Sequence, residues 1–198
     1  MQKRNNPDNK INFIRGELFG KMFLPDEESY LFKRQRVEKN MDNKFREIFK
    51  GKVVIVGIGN SLKGDDGVGL LVIEELKKRG CSIPCINAGV ALESYMGKII
   101  KESPDTVLII DATHLGRSAG TWELLEPEDI IKSGFTTHDM SARMFLEYLQ
   151  EVSGTKVYML GIQPQNVDWG KEITEVLRER VEEIVNLIME AEKCMNHI

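Results

Sequence analysis

Residues 53–69, VVIVGIGNSLKGDDGVG, constrain the fold more than any other stretch of this chain. Positions 53–56 form a short β-branched apolar run, suited to a strand buried on both faces. Gly57 and Gly59 follow and permit a sharp backbone turn. Residues 67–79 then read as a helix. Val68, Leu71, Val72 and Leu76 share one face, and Lys77, Lys78 and Arg79 occupy the last turn, where the helix dipole favours cations. A buried strand, a tight turn and a helix make a βα unit. Its loop lies at the carboxyl edge of a sheet, the place where open α/β folds bind their ligands. Two adjacent carboxylates, Asp65 and Asp66, stand in that loop.

The same alternation continues along the chain. Residues 82–87 (SIPCIN), 106–110 (TVLII), 121–125 (TWELL) and 155–161 (TKVYMLG) read as strands, the segment 121–125 as an edge strand. Helical spacing recurs over 91–102, in a short element opening at 126–129, over 140–150 and over 171–193. In 140–150 the inward positions are Met144, Phe145, Tyr148 and Leu149. In 171–193 Ile173, Val176, Leu177, Val181, Ile184, Leu187, Ile188 and Ala191 form a core-facing stripe. Strictly alternating strands and helices predict an α/β fold: a mostly parallel, twisted five-stranded sheet with helices on both faces, three layers in all.

At 198 residues the chain can build one domain with a real core and an appendage. We divide it into a main domain at 41–198 and an extension at 1–40, expected to be poorly ordered. A weakly amphipathic helix fits 12–23. Alternatively Met41 opens the natural protein, with Phe45, Ile48 and Phe49 leading into the first strand. Lys and Arg outnumber Asp and Glu by 13 to 8 before residue 53, but are outnumbered 14 to 23 after it. The main domain is therefore acidic, which argues against nucleic acid as its partner and suits cations or basic peptides. No apolar run approaches the ~20 residues of a membrane span, and no secretory signal is expected at the start. Cys81, Cys85 and Cys194 lack the spacing of a zinc site and read as reduced thiols, so a cytoplasmic location is expected.

Several chemistries compete for the loops at the sheet edge. The two aspartates suit helix capping, which needs one of them and leaves a carboxylate over. They also suit a metal or acid–base site, with either Asp65 or Asp66 facing the cleft. A dinucleotide fingerprint fails, because the third glycine would fall on Leu62, and no Lys-Ser/Thr pair follows Gly64. Asp111 ends the most apolar strand at the same edge, and His138 stands in a loop that opens a helix, where imidazolium is disfavoured. His114 reads as exposed and His197 as terminal. Asp65 or Asp66, Asp111 and His138 could therefore converge although far apart in sequence. Two carboxylates and one imidazole make an incomplete shell for a divalent first-row metal, or a proton relay without one. There is no nucleophile elbow for serine chemistry, and no histidine lies near Cys81 or Cys85.

Six blocks carry a resemblance: GIGNSLKGDDGVG, the NAG of 87–89, IDATHLG at 110–116, EPEDI at 126–130, TTHDM at 136–140 and LGIQP at 160–164. In order and spacing, over about 50–190, the chain resembles the maturation endopeptidases of nickel–iron hydrogenases, most nearly the hydrogenase 3, formate hydrogenlyase-type subgroup. The resemblance implies a twisted sheet between helices. It implies an endopeptidase that removes the C-terminal extension of the hydrogenase large-subunit precursor after nickel insertion. It implies that Asp66, Asp111 and His138 are both the metal ligands and the catalytic groups, binding nickel carried by the substrate, or the cadmium that replaces it. Aspartic and metal-dependent mechanisms both fit these residues. So does a different class of protein, a non-catalytic nickel- or precursor-binding maturation chaperone of the same fold.

Overall fold

In the computed structural model the described residues are 45, 47–132, 147–151 and 153–195, all within the compact unit Lys44–Ile198. The expected extension at 1–40 lies outside them, as does most of the helix expected over 140–150. Five strands form one sheet: β1 Val53–Ile58, β2 Cys85–Gly89, β3 Thr106–Ala112, β4 Trp122–Leu125 and β5 Lys156–Ile162. Their order is β2-β1-β3-β5-β4. All pairings are parallel except β4 with β5, which is antiparallel and places β4 at the edge. The α/β class expected from the alternation is what forms.

Burial on both sides of the sheet follows from the strand period of two. Val53 and Ile55, Leu108 and Ile110, and Leu160 and Ile162 point to one face. There they meet Phe45, Ile48 and Phe49, the helix α1 (Val68–Lys78) and the long helix α4 (Glu175–Met195). Val54, Val56, Val107, Ile109, Val157 and Met159 point to the other face, against Ile99 of α2 (Met96–Lys101), Ile130 of α3 (Pro127–Lys132) and Leu149. Arg79, at the end of α1, donates to Asn186 Oδ1 (2.7 Å) and to Glu182, which fastens α1 to α4. Among the described residues no helix is long and apolar enough to cross a membrane.

Element ends differ from the sequence reading for physical reasons. β2 starts at Cys85 and not at 82, because Pro84 has no N–H to donate and enters only through its carbonyl, which accepts from Ile55 (2.9 Å). β3 runs two residues past 110, so Asp111 sits inside the sheet, opposite Gly161 of β5. Helix α4 begins at Glu175; Ile173 precedes it, and Val176 is exposed and off the core stripe. Tyr148, expected to face inward, is also exposed. Cys81 and Cys85 are free and half-buried, and Cys194 is free and exposed.

The strand order reverses between β1 and β3. From β1 the chain moves outward to β2, then returns across to β3, so the crevice at the carboxyl ends of β1 and β3 is the topological switch point. Two glycines, Gly57 and Gly69, set how closely α1 approaches that crevice; a Cβ on Gly57 would lie 2.3 Å from the Gly69 oxygen. A Cβ on Gly69 would lie 2.2 Å from the Ile110 carbonyl oxygen and 2.5 Å from that of Ile58. The first turn of α1 thus rests directly on the ends of both strands. Gly69→Ala is expected to push α1 off the sheet and cost about 3 kcal/mol, the range of an overpacked core. Gly97→Ala, in α2 where a Cβ would meet nothing within 4 Å, is expected to gain about 0.5 kcal/mol from helix propensity. Thermal melts of the two variants should shift in opposite directions.

Candidate functional site

The loop after β1 is stitched to itself before it reaches the switch point. Gly59, at φ +135°, makes the turn, and Gly57 stays within β1. Asn60 N–H donates to Asp66, to the backbone oxygen (3.2 Å) and to Oδ2 (3.1 Å). Asn60 Oδ1 in turn accepts from Leu62 N–H (3.0 Å). A 3-10 turn, Gly64–Gly67, holds both aspartates and leads into α1. Neither aspartate caps α1: its N-cap is Gly67, with no side-chain hydrogen bond. The capping reading of the sequence is thereby replaced by two separate roles.

Asp65 points inward and is fully buried. Its Oδ2 accepts from Gln165 N–H (2.8 Å), Asn166 N–H (2.9 Å) and the Thr174 hydroxyl (3.1 Å), and its Oδ1 from Thr174 N–H (2.7 Å). All four donors belong to the loop between β5 and α4. Asp65 is a clamp between two loops, with both carboxylate oxygens engaged by the downstream loop and no surface exposed. That role has no signal in a single sequence, because its partners lie about a hundred residues away.

Asp66, the next residue, is half-buried and faces the switch point. Asp111 arrives there from β3, with Oδ1 accepting from Ala112 N–H (2.8 Å). Burial of its carboxyl, and then the nearby charge of Asp66, push Asp111 well above the ordinary carboxylate range. The Ala112 hydrogen bond opposes this weakly. The two expected carboxylates are therefore close enough to feel each other's charge, at the edge foreseen for them. A raised carboxyl in a crevice is a mark of a functional site. His138, the third expected ligand, lies outside the described residues, and His114 is exposed. Among the described residues no three His, Cys, Asp or Glu side chains are disposed to hold a metal ion. The pair supplies hard oxygen donors and leaves coordination to be completed, which fits a cation brought by another molecule.

A neighbouring loop is also ordered by a side chain that sequence reasoning did not single out. Gln163, buried just past β5, accepts at Oε1 from Leu115 N–H (2.7 Å) and Arg117 N–H (3.3 Å). It pins the loop 113–120 that follows Asp111. Its place in the LGIQP block was the available signal.

Residues 70–191, more than half of the chain, match the family described as HycI, hydrogenase maturation protease. The chain belongs to the hydrogenase maturation protease family. The matched range contains Asp111 and position 138 and begins four residues past Asp66. The protease is 34% identical over 134 residues to the hydrogenase 3 maturation protease of Escherichia coli K12, covering 66% of this chain and 85% of that protein. It is similar to a crystal structure of a nickel–iron hydrogenase maturation protease, HycI, from Thermococcus kodakarensis. That likeness has 34% identity and a TM-score of 0.68, and covers 75% of this chain and 97% of the other. A crystal structure of a hydrogenase 3 maturation protease aligns with a TM-score of 0.63 at 31% identity, covering 70% and 89%. An enzyme is thus established where the sequence had left room for a non-catalytic chaperone.

Proposed function

We propose that this protease removes the C-terminal extension of a nickel–iron hydrogenase large-subunit precursor once nickel is in place. In this reading Asp66, Asp111 and His138 recognise the nickel as part of the substrate. The observation that carries it is the carboxylate pair at the switch point, with Asp111 raised by burial and by Asp66. Two carboxylates forced together in a partly dry crevice favour a divalent cation between them, which neutralises both at once. Nickel held by the precursor's thiolates supplies that cation and keeps an open position for them. The scissile peptide bond is then fixed over the pair, and the metal polarises its carbonyl while a carboxylate takes a proton from the attacking water. A precursor without nickel offers no cation, and cleavage does not begin.

The deciding experiment incubates the protease with nickel-loaded and nickel-free precursor and follows the size of the large subunit on a gel. Shortening of the loaded form alone is expected. Asp66→Asn, Asp111→Asn and His138→Ala are each expected to lower processing by about 10³-fold, as loss of a metal-contacting group does. If all three, still folded, process at the wild-type rate, the nickel-reading role is wrong. Because a carboxylate must lose its proton to bind a cation, processing should rise with pH through the raised value of Asp111.

A further inference from the structure

Among the described residues five large apolar side chains stand in solvent: Leu62, Val90, Tyr148, Trp169 and Val176. Singly scattered, such residues are ordinary. Leu62, Val90 and Trp169 are not scattered. Each lies in a loop that leaves the carboxyl end of a strand, β1, β2 and β5 respectively, so all three share the rim on which Asp66 and Asp111 stand.

Backbone hydrogen bonds join these loops into one surface. Gly170 N–H donates to the Leu62 oxygen (2.8 Å), Gly64 N–H to that of Lys171 (3.1 Å) and Asp65 N–H to that of Asn166 (2.9 Å). The Trp169 loop is thereby clipped onto the loop that carries Asp66, and the buried Asp65 carboxylate locks the clip from beneath. On the other side Gly59 N–H donates to the Gly89 oxygen (2.9 Å), next to Val90. Trp169 keeps 66% of its surface exposed and Leu62 63%. The Lys63 amine sits over the Trp169 ring, 5.4 Å from its centroid, in cation–π contact.

We propose that Leu62 and Trp169, with Lys63 behind the ring, form an apolar ledge that grips the peptide extension of the precursor beside Asp66. The ledge would set which precursor is processed. This rests on the reading of the site given above. The acid pair offers the apolar side chains of a peptide no attraction, so affinity for such a segment must come from elsewhere on the rim. The ledge is where apolar side chains of an extended segment can be buried without moving away from the cleaved bond. A second copy of this chain is a poor occupant. Two side chains cover at most a few hundred Å², far below the ~800 Å² per partner of a stable interface.

The test measures steady-state processing of nickel-loaded precursor by Trp169→Ala, Leu62→Ser and the double variant. A fall in kcat/KM of at least about tenfold for the double variant, borne by KM, is expected of a lost aromatic anchor. Trp169→Phe, which keeps a ring for Lys63, should recover most of it, and melting temperatures should stay at the wild-type value. A second readout compares binding of nickel-loaded large subunit with and without its extension. The wild type should favour the extended form, and the double variant should lose that preference. Unchanged kcat/KM in the double variant overturns the ledge. So does a fall in kcat alone, or a change of sedimentation without a change of kinetics, which would assign the patch to self-association. Asp66→Asn and Asp111→Asn separate the two levels. If they stop processing while the ledge variants match the wild type, the ledge fails and the nickel reading stands. If they too process normally, the nickel reading fails.

Discussion

Asp111→Asn should melt at a higher temperature than the wild type at pH 8, while processing precursor about 10³-fold more slowly. The two effects share one cause. In the folded protein burial and the charge of Asp66 raise Asp111 well above the value it has in an unfolded chain. A carboxyl raised on folding binds its proton more tightly in the native state, so its contribution to stability is complete below the unfolded value. That contribution is lost as pH climbs through the raised folded value. At pH 8, far above the unfolded value, holding this carboxyl in the folded site is a cost that asparagine does not carry. A domain of this size gains roughly 2–4 °C in Tm per kcal/mol, so the sign of the change is within reach of a calorimeter. The advantage should shrink as pH falls and vanish near pH 3, where the wild-type carboxyl is neutral in both states. Melts across pH 3–8 check the sign. A lower Tm for the variant at pH 8 would mean that Asp111 is not under electrostatic strain in the free enzyme.

Asp65→Ala is the opposite case and should be the most damaging single substitution in the loop. It leaves the four donors from Gln165, Asn166 and Thr174 facing a void. Unpaired buried donors cost about 1–3 kcal/mol each before relaxation, and water can reach only part of the space. A net loss of about 3–5 kcal/mol is expected. That is a large share of the roughly 5–15 kcal/mol that holds a domain together. Urea unfolding should show a much lower midpoint with little change in slope. Asp66→Asn, one residue on, should unfold close to the wild type and lose processing. If the two variants lost stability equally, the division of labour between the neighbouring aspartates would be mistaken.

Much of the architecture was legible along the chain because burial leaves a local trace. The runs at 53–56 and 107–110 are apolar at every position, as strands covered on both faces must be. The three- and four-residue spacing of Leu177, Val181, Ile184 and Ile188 marks one side of α4. Even the edge position of 121–125 could be read from its mixed composition, and the structure places β4 there, half-buried throughout. Tyr148 and Val176 show the limit of that reading. Periodicity places a residue on a helix face, but how wide a face is covered depends on the element packed against it.

The βα alternation, its sheet, and Asp66 and Asp111 as residues at the carboxyl edge were determined by sequence alone. Those properties depend on hydrophobic period and chain order, which are written residue by residue. Spacing alone left either of two adjacent aspartates to meet Asp111; the family resemblance pointed to Asp66, and the physical reason, the capture of Asp65 beneath the loop, came only with the tertiary structure. The loop that claims Asp65 returns from a hundred residues downstream, and nothing within the GDDG turn itself distinguishes the carboxylate that will be captured from the one left facing the crevice.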